Sequence, residues 1–504
     1  MNEKAENKKE DPKAISRSLR DSEQILGKLC EGCDDILLRK MKLGQGEGID
    51  CLIVYIETAV SNMMLQDSMI GKMINSLQAS RPEEIYRELK ENSLGISDAK
   101  DLMTMDEALA AMLAGNAVFF IDGFDRALKI SSKGYPAMGV SKAESEKAMR
   151  GSREAFSESV KVNTALVRKR IRDTRLKVKE KMVGEASHTM TAVVYMEGVA
   201  YPSMVEKFQE RLDSFMIDGF MDSGVIEQLT EDTWYSPFPQ FQTTERPDRA
   251  AMAVLEGRVV FFSDNSPEAI ILPATYNSLF QTSDDYFRHF GIVSFLRIIR
   301  YIAAFLAVSL PGLYIAVTNF QTQILPTNLI ISLAKAREGV PFPGVLEILL
   351  LELSFELLRE AGVRMPGTIG NTIGIVGGLI IGQAAVSANI VSPIVVVIVA
   401  LTALGSFSVP SEELSEAFRL LKYGMILLCS VFGILGLALG WMLVLIHLSG
   451  LKSFGIPYLM PFSGNDMNRR QDGKDSIIRM PLWMIRKRPV FARRDNRTKL
   501  RWKE

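Results

Sequence analysis

Polar and apolar positions change period along the 504-residue chain. Up to about residue 290, short β-branched and aromatic runs alternate with stretches whose apolar residues recur at helical spacing, the pattern of an α/β protein. From 291 to 450 apolar runs with few charges dominate, which predicts an all-α polytopic membrane domain of about four spans and an amphipathic interfacial helix. The segment RYIAAFLAVSLPGLYIAVTNF, starting at Arg300, holds an apolar stretch of about 18 residues, enough to cross a bilayer. Pro311 is expected to kink it, and Arg297 and Arg300 to snorkel at its cytoplasmic end. IGNTIGIVGGLIIGQAAVS, residues 369–387, is a second span, NIVSPIVVVIVALTALGSF a third, and the stretch from about Gly424 to Leu448 a fourth. His447, near the end of the fourth, reads as an interfacial residue rather than a ligand.

Between the first two spans lies VPFPGVLEILLLELSFELLREAGVRMPGTIGN, residues 340–371, which is leucine-rich and yet carries Glu347, Glu352, Glu356 and Glu360. On a helix Leu346, Leu350, Leu353 and Leu357 share one face, and Glu352, Glu356, Arg359 and Glu360 another. A carboxylate at mid-bilayer costs a few kcal/mol, so this helix is expected at the interface or against other protein. Glu352, Glu356 and Glu360 either form an acidic mouth that concentrates cations, or pair within the helix, Glu356 with Arg359 and Glu360 with Arg364. The following segment stacks Gly370, Gly374, Gly378 and Gly382 into a ridge suited to close helix packing. Opposite them lie Thr372, Val376, Leu379, Gln383 and Ser387, polar at both ends and apolar in the middle. That face suits a pore lining with an apolar gate at Val376 and Leu379, or a buried helix with Thr372 and Gln383 bonded to neighbours, and periodicity leaves both open. GIVGG is similar to a nucleotide-binding loop, but no strand precedes it and no acidic residue follows at the required distance.

The α/β half carries an internal echo. CLIVYIETAV, from Cys51, matches TAVVYMEGVA, from Thr191, and AAMLAGNAVFFIDG, from Ala110, matches AAMAVLEGRVVFFSDN, from Ala250, in the same order. Two related α/β subdomains follow, 45–130 and 185–290, preceded by a charged tail and helix over 1–44 and joined by a helical connector over 131–184. The membrane domain spans 291–450, and 451–504 is a basic tail expected on the cytoplasmic side, with fourteen Lys or Arg against five Asp or Glu. In the connector, Arg168, Lys169, Arg170, Arg172 and Arg175 could form an RNA or phospholipid patch, but the interspersed Asp173, Glu154 and Glu158 favour a solvated face or a subunit contact.

Charge and chemistry narrow the field. The totals of 59 basic and 59 acidic residues give no bias toward nucleic acid. The N-terminus has no apolar core, so neither a secretory signal nor a lipidation site is expected and the α/β half stays cytosolic. Four cysteines, including Cys30 and Cys33 in a CxxC and Cys51 nearby, read as thiols in a reducing compartment. The three histidines, His188, His289 and His447, are far apart, and no nucleophile elbow, phosphate loop or metal-ligand spacing occurs. An enzyme and a bound cofactor are therefore not expected.

PFPGVLEILLLELSFELLREAGVRMPGTIGNTIGIVGGLIIGQAAV, together with SLPGLYIAV, RGSREAFSESVKVNTALVRKRIRD and TERPDRAAMAVLEGRVV, resembles the A subunit of spore germination receptors, the GerA family, over about residues 45–465. Ser152 stands where that family often has proline. The resemblance implies a multi-pass protein of the inner spore membrane with its N-terminal half and C-terminal tail facing the spore core. It implies a homo-oligomer, a pentamer, forming a nutrient-gated channel for monovalent cations with a transporter-like B subunit that binds the nutrient and a lipoprotein C subunit. In a ring the glycine ridge becomes the helix contact and the opposite face lines the pore. A non-conducting scaffold and a secondary transporter are the alternatives.

Overall fold

The computed structural model describes residues 14–43, 48–60, 83–84, 86–87, 99–135, 143, 146–363, 382–463 and 472–501. Internal contacts divide the chain into two units, one of 1–231, 241–273 and 487–504, the other of 232–240 and 274–486.

The first unit holds two antiparallel sheets. β1 (Ile36–Leu43), β2 (Ile49–Ile56), β3 (Ala99–Leu102), β4 (Ala117–Ile121) and β5 (Ala127–Ile130) lie in the order β1-β2-β4-β5-β3. β6 (Leu176–Val183), β7 (Thr189–Met196), β8 (Gln242–Thr244), β9 (Val259–Ser263) and β10 (Ala269–Leu272) lie in the order β6-β7-β9-β10-β8, the same permutation. Around them run α1 (Leu19–Leu29), α2 (Met105–Leu113), α3 (Val160–Arg170), α4 (Pro202–Asp213), α5 (Ser223–Thr230) and α6 (Pro247–Leu255). The duplication extends to register: Cys51 faces Ile121 and Val54 faces Val118, as Thr191 faces Ser263 and Val194 faces Val260. α2 enters β4 through Gly115 at φ +88°, and α6 enters β9 through Gly257 at φ +92°. Only glycine takes this left-handed turn without a Cβ penalty, so LAGN and LEGR are the plainest part of the echo. The sheets begin at Ile36 and Leu176, ahead of residues 45 and 185, because their first strands, ILLRKMKL and LKVKEKMV, are half-exposed edges with a weak apolar signal.

Apolar burial holds each half together. Leu26, Leu52, Val54, Met105, Met112 and Phe120 form the core beneath α1 and α2, and Phe156, Leu166, Val194, Val254, Phe262 and Ile271 the core beneath α3 and α6. The halves are joined through buried charge. Arg168, on α3, donates from Nε and Nη2 to Asp35 at 2.8 and 2.7 Å and from Nη1 to the Asp173 carbonyl at 3.0 Å. Asp34 N donates to the Val178 carbonyl at 2.9 Å, and Val178 N to that of Gly32 at 3.1 Å. The basic run divides: Arg168 is buried, Lys169 and Arg170 close on Glu154 at 2.9 and 2.6 Å, and Arg172 and Arg175 are exposed, with Arg175 closing on Asp173 at 2.7 Å. Burial would raise the Glu154 carboxyl, but bonds from Lys169 and Arg170 outweigh it and hold it below its ordinary range. Burial pushes the Cys30 and Cys51 thiols up to about 12 and raises Cys33, which leaves them protonated and inert.

The second unit is helical. α7 (Phe290–Asn319) runs unbroken through Pro311 and, among the described residues, is the one helix both long and apolar enough to cross a membrane. After it come α8 (Thr327–Ala336), α9 (Gly344–Val363), a helical stretch over 382–387, α10 (Pro393–Phe407), α11 (Glu412–Phe432) and α12 (Ile434–Gly450). The expected single span from Gly424 to Leu448 is instead two helices. Gly433, at φ +61°, turns the chain back, Gly436 meets the Leu428 carbonyl, and Gly440 meets Met425. Gly436 and Gly440 let the two arms of this hairpin approach closely. α7 approaches α11 where a Cβ on Gly312 would lie 2.8 Å from Cys429 Sγ, and α10 approaches α7 where one on Gly405 would lie 2.7 Å from the Ala303 carbonyl.

Two further expectations change. Arg297 does not snorkel: it is buried and donates to Asp285 at 2.9 Å and Asp475 at 2.8 Å, while Arg300 donates to both Asp285 oxygens at 2.9 and 3.0 Å. The C-terminal segment is not a free tail either. Asp475 and Arg479 close on the start of α7, and Ala492 is buried against the first unit's second sheet, with Arg493 N donating to the Val199 carbonyl at 2.8 Å. Arg479, Arg488 and Arg497 find partners far away in sequence, which local composition does not reveal.

Candidate functional site

α9 is amphipathic in the reverse of the usual sense. Leu346, Leu350, Leu353 and Leu357 point outward, up to 64% exposed at Leu357, while Glu347 and Glu352 are 0% and 2% exposed. Expected at the interface or against other protein, the helix packs along α10 and α7 and is tied to α11 by ion pairs, because each inward carboxylate meets a group that neutralises it. Glu347 Oε2 accepts the backbone N–H of Ser392 at 2.8 Å, which caps the start of α10, and lies 3.2 Å from Arg337 on its other oxygen. Lys422 Nζ donates to Glu352 at 2.5 Å and lies 3.8 Å from Glu356. Arg419 donates to Glu356 at 3.1 Å, and Arg359 reaches Glu412 at 3.8 Å with its guanidinium over the Phe407 ring. The result is a ladder of charges between α9 and α11. In an apolar bundle such pairs offset desolvation only while both partners remain.

Glu352 and Glu356 are therefore committed to α11, not to one another or to Arg359. Glu360 is exposed further along α9. Of the glycine ridge, Gly370, Gly374 and Gly378 lie outside the described residues, as do Thr372, Val376 and Leu379 on the opposite face. Gly382 is buried, with a Cβ there 3.4 Å from Val396 of α10, whereas Gln383 and Ser387 are exposed. His447 is half-buried at the end of α12, where Nε2 lies 2.8 Å from Ser236 Oγ and the ring stacks on Phe238. Near the start of α7, burial would raise the Asp285 carboxyl, but Arg300 and Arg297 outweigh it and hold it low.

The family profile of the Bacillus/Clostridium GerA spore germination protein matches residues 24–491. The chain belongs to that family. It is 41% identical over 482 residues to "Uncharacterized membrane protein YfkQ" of Bacillus subtilis (strain 168), covering 96% of this chain and 93% of that protein. It is 35% identical over 491 residues to "Spore germination protein KA" of the same organism, 97% and 90% of the two chains, and 36% identical over 458 residues to "Spore germination protein A1", 91% and 92%. The crystallised N-terminal domain of the A subunit of the Bacillus megaterium spore germinant receptor GerK3 is 27% identical, with a TM-score of 0.41 over 53% of this chain and 99% of that one.

Within this GerA-family chain, the partners of the glutamates were the part sequence reasoning missed. Lys422 and Arg419 sit three residues apart in SEAFRLLKYGMILL, cations at the head of an apolar run, and that oddity was the available signal. Nothing local showed that they face α9. Arg337 and Ser392 left no signal of the kind.

Proposed function

We propose that the chain is the A subunit of a germinant receptor in the inner spore membrane, and that copies of it, five to a ring, form a nutrient-gated channel for monovalent cations. It works with a transporter-like B subunit that binds the nutrient and with a lipoprotein C subunit. The inverted face of α9 carries this reading. A helix with carboxylates inside and leucines outside is favoured where the outside is hydrocarbon or an apolar neighbour, and disfavoured in water. α9 then crosses the membrane beside α7, α10, α11 and α12.

Buried Gly382 beside exposed Gln383 and Ser387 supports dividing 369–387 into a packing side and a conducting side. Gly370, Gly374, Gly378 and Gly382 form the first, and Thr372, Val376, Leu379, Gln383 and Ser387 the second, with Val376 and Leu379 at the constriction. Glu352 and Glu356 balance α11 inside each subunit, and Glu360, exposed on α9, is the member of the acidic set placed where cations reach it from water. Electrical recording from the purified oligomer in liposomes tests this. Cation currents are expected, with spontaneous leak in Val376→Ala and accessibility to water-soluble thiol reagents along the conducting side. A folded oligomer with no conductance would make the chain a scaffold, and a saturable, stoichiometric flux would make it a transporter.

A further inference from the structure

Among the described residues, segment 232–240 forms a built loop that exposes Trp234 and Tyr235. Asp232 N and Thr233 N donate to Gln240 Oε1 at 2.9 and 3.1 Å, and Gln240 Nε2 returns a bond to the Thr233 carbonyl at 2.8 Å. Phe454 N donates to Asp232 at 2.7 Å and Ser453 Oγ to the Gln240 carbonyl at 2.7 Å, so the short hairpin β11 (Lys452–Ser453) and β12 (Ile456–Pro457) braces the loop from behind. Phe238 plugs inward against His447, Phe418 and Tyr458, and Ser236 is tied to His447. With both ends fixed in this way, the loop holds Trp234 and Tyr235 outward, 83% and 67% exposed, with their rings edge to face at 5.9 Å.

Water is a poor setting for two such side chains on a braced loop. Each has a large apolar body and a polar tip, which favours a boundary between hydrocarbon and water. The location matches that boundary. The Tyr235 ring lies 6.2 Å from His447, one turn from the end of α12, and the outward residues just before His447 are Met442, Leu443, Leu445 and Ile446. The apolar stripe of α12 therefore leads directly into the Trp-Tyr pair.

We propose that Trp234 and Tyr235 seat in the headgroup layer of the bilayer and set the depth of α12, with the bond from Ser236 to His447 coupling loop to helix. This rests on the membrane reading above, and the experiment separates the two. The full-length chain is reconstituted in phosphatidylethanolamine–phosphatidylglycerol vesicles containing lipids brominated either near the headgroup or near the chain ends. Trp234 is read as the difference between wild type and Trp234→Phe, and Leu445→Trp, on the outward face of α12, serves as the hydrocarbon reference. The Trp234 component should be blue-shifted and lose roughly half its emission to headgroup-proximal bromine, and much less to chain-end bromine. Quenching of Leu445→Trp without quenching of the Trp234 component would overturn the anchor and leave the membrane reading intact. Quenching of neither would overturn both. Protection of the Trp234 component only when partner subunits are added would assign the pair to a protein contact and overturn the lipid proposal.

Discussion

In the first unit Arg168 and Asp35 pair beneath an α/β surface whose exposed large apolar side chains are scattered and mostly methionines, such as Met149, Met182, Met216 and Met221. In the second unit Lys422 and Glu352 pair beneath helices whose outward positions include Leu350, Leu353, Leu401, Leu427, Val431 and Leu443. Both units thus hide paired charge, but only the second turns runs of leucine outward. Buried ion pairs say little about the surroundings of a protein, since either interior supplies the second charge. The outward face is more informative, because scattered apolar residues are ordinary in water while a continuous apolar belt is not.

The largest expected effect breaks a pair. Lys422→Ala leaves Glu352 buried and unpaired and should cost about 3–5 kcal/mol, as should Arg168→Ala through Asp35. Both would be read as lower thermal unfolding of the full chain in detergent. Replacing both partners by leucine should recover most of the loss. If Lys422→Ala were tolerated while Arg168→Ala was not, water would have to reach Glu352, and α9 would not lie in a dry bundle.

Next comes the hairpin. A leucine at Gly436 would meet the Leu428 carbonyl and should cost about 1–3 kcal/mol, whereas alanine at Gly450, with nothing within 4 Å, should change stability little. Equal tolerance would favour one continuous span over the turn at Gly433. In the first unit, Thr104→Ala removes the capping box in which Thr104 Oγ1 accepts Glu107 N at 3.3 Å, and should lower stability by about 1 kcal/mol on chemical denaturation.

The last test reads a slope rather than a size, because the contribution of Asp285 is present at neutral pH and is lost in acid. Its carboxyl titrates lower folded than unfolded, so its contribution is complete above the ordinary carboxylate range and is lost as pH falls through the lowered value. The melting temperature of wild type should therefore drop on acidification more steeply than that of Asp285→Asn. Parallel curves would mean that Arg297 and Arg300 do not hold this carboxylate charged.

Much of the first unit was legible because its determinants are local. Alternating β-branched strands and the turns at Gly115 and Gly257 announce the duplicated sheets, though not their half-polar first strands. The sequence by itself also determined that 291–450 is apolar, that glycine recurs every fourth residue from Gly370 to Gly382, and that α9 has a leucine face and a glutamate face. Only the tertiary structure decided which of those faces turns inward, that Lys422 and Arg419 receive the carboxylates, that Gly433 folds one apparent span into a hairpin, and that Arg297 is buried. Helical periodicity sorts side chains onto faces but carries no information about what each face meets. A charge in an apolar run is settled by a partner distant in sequence, and that partner is chosen by packing.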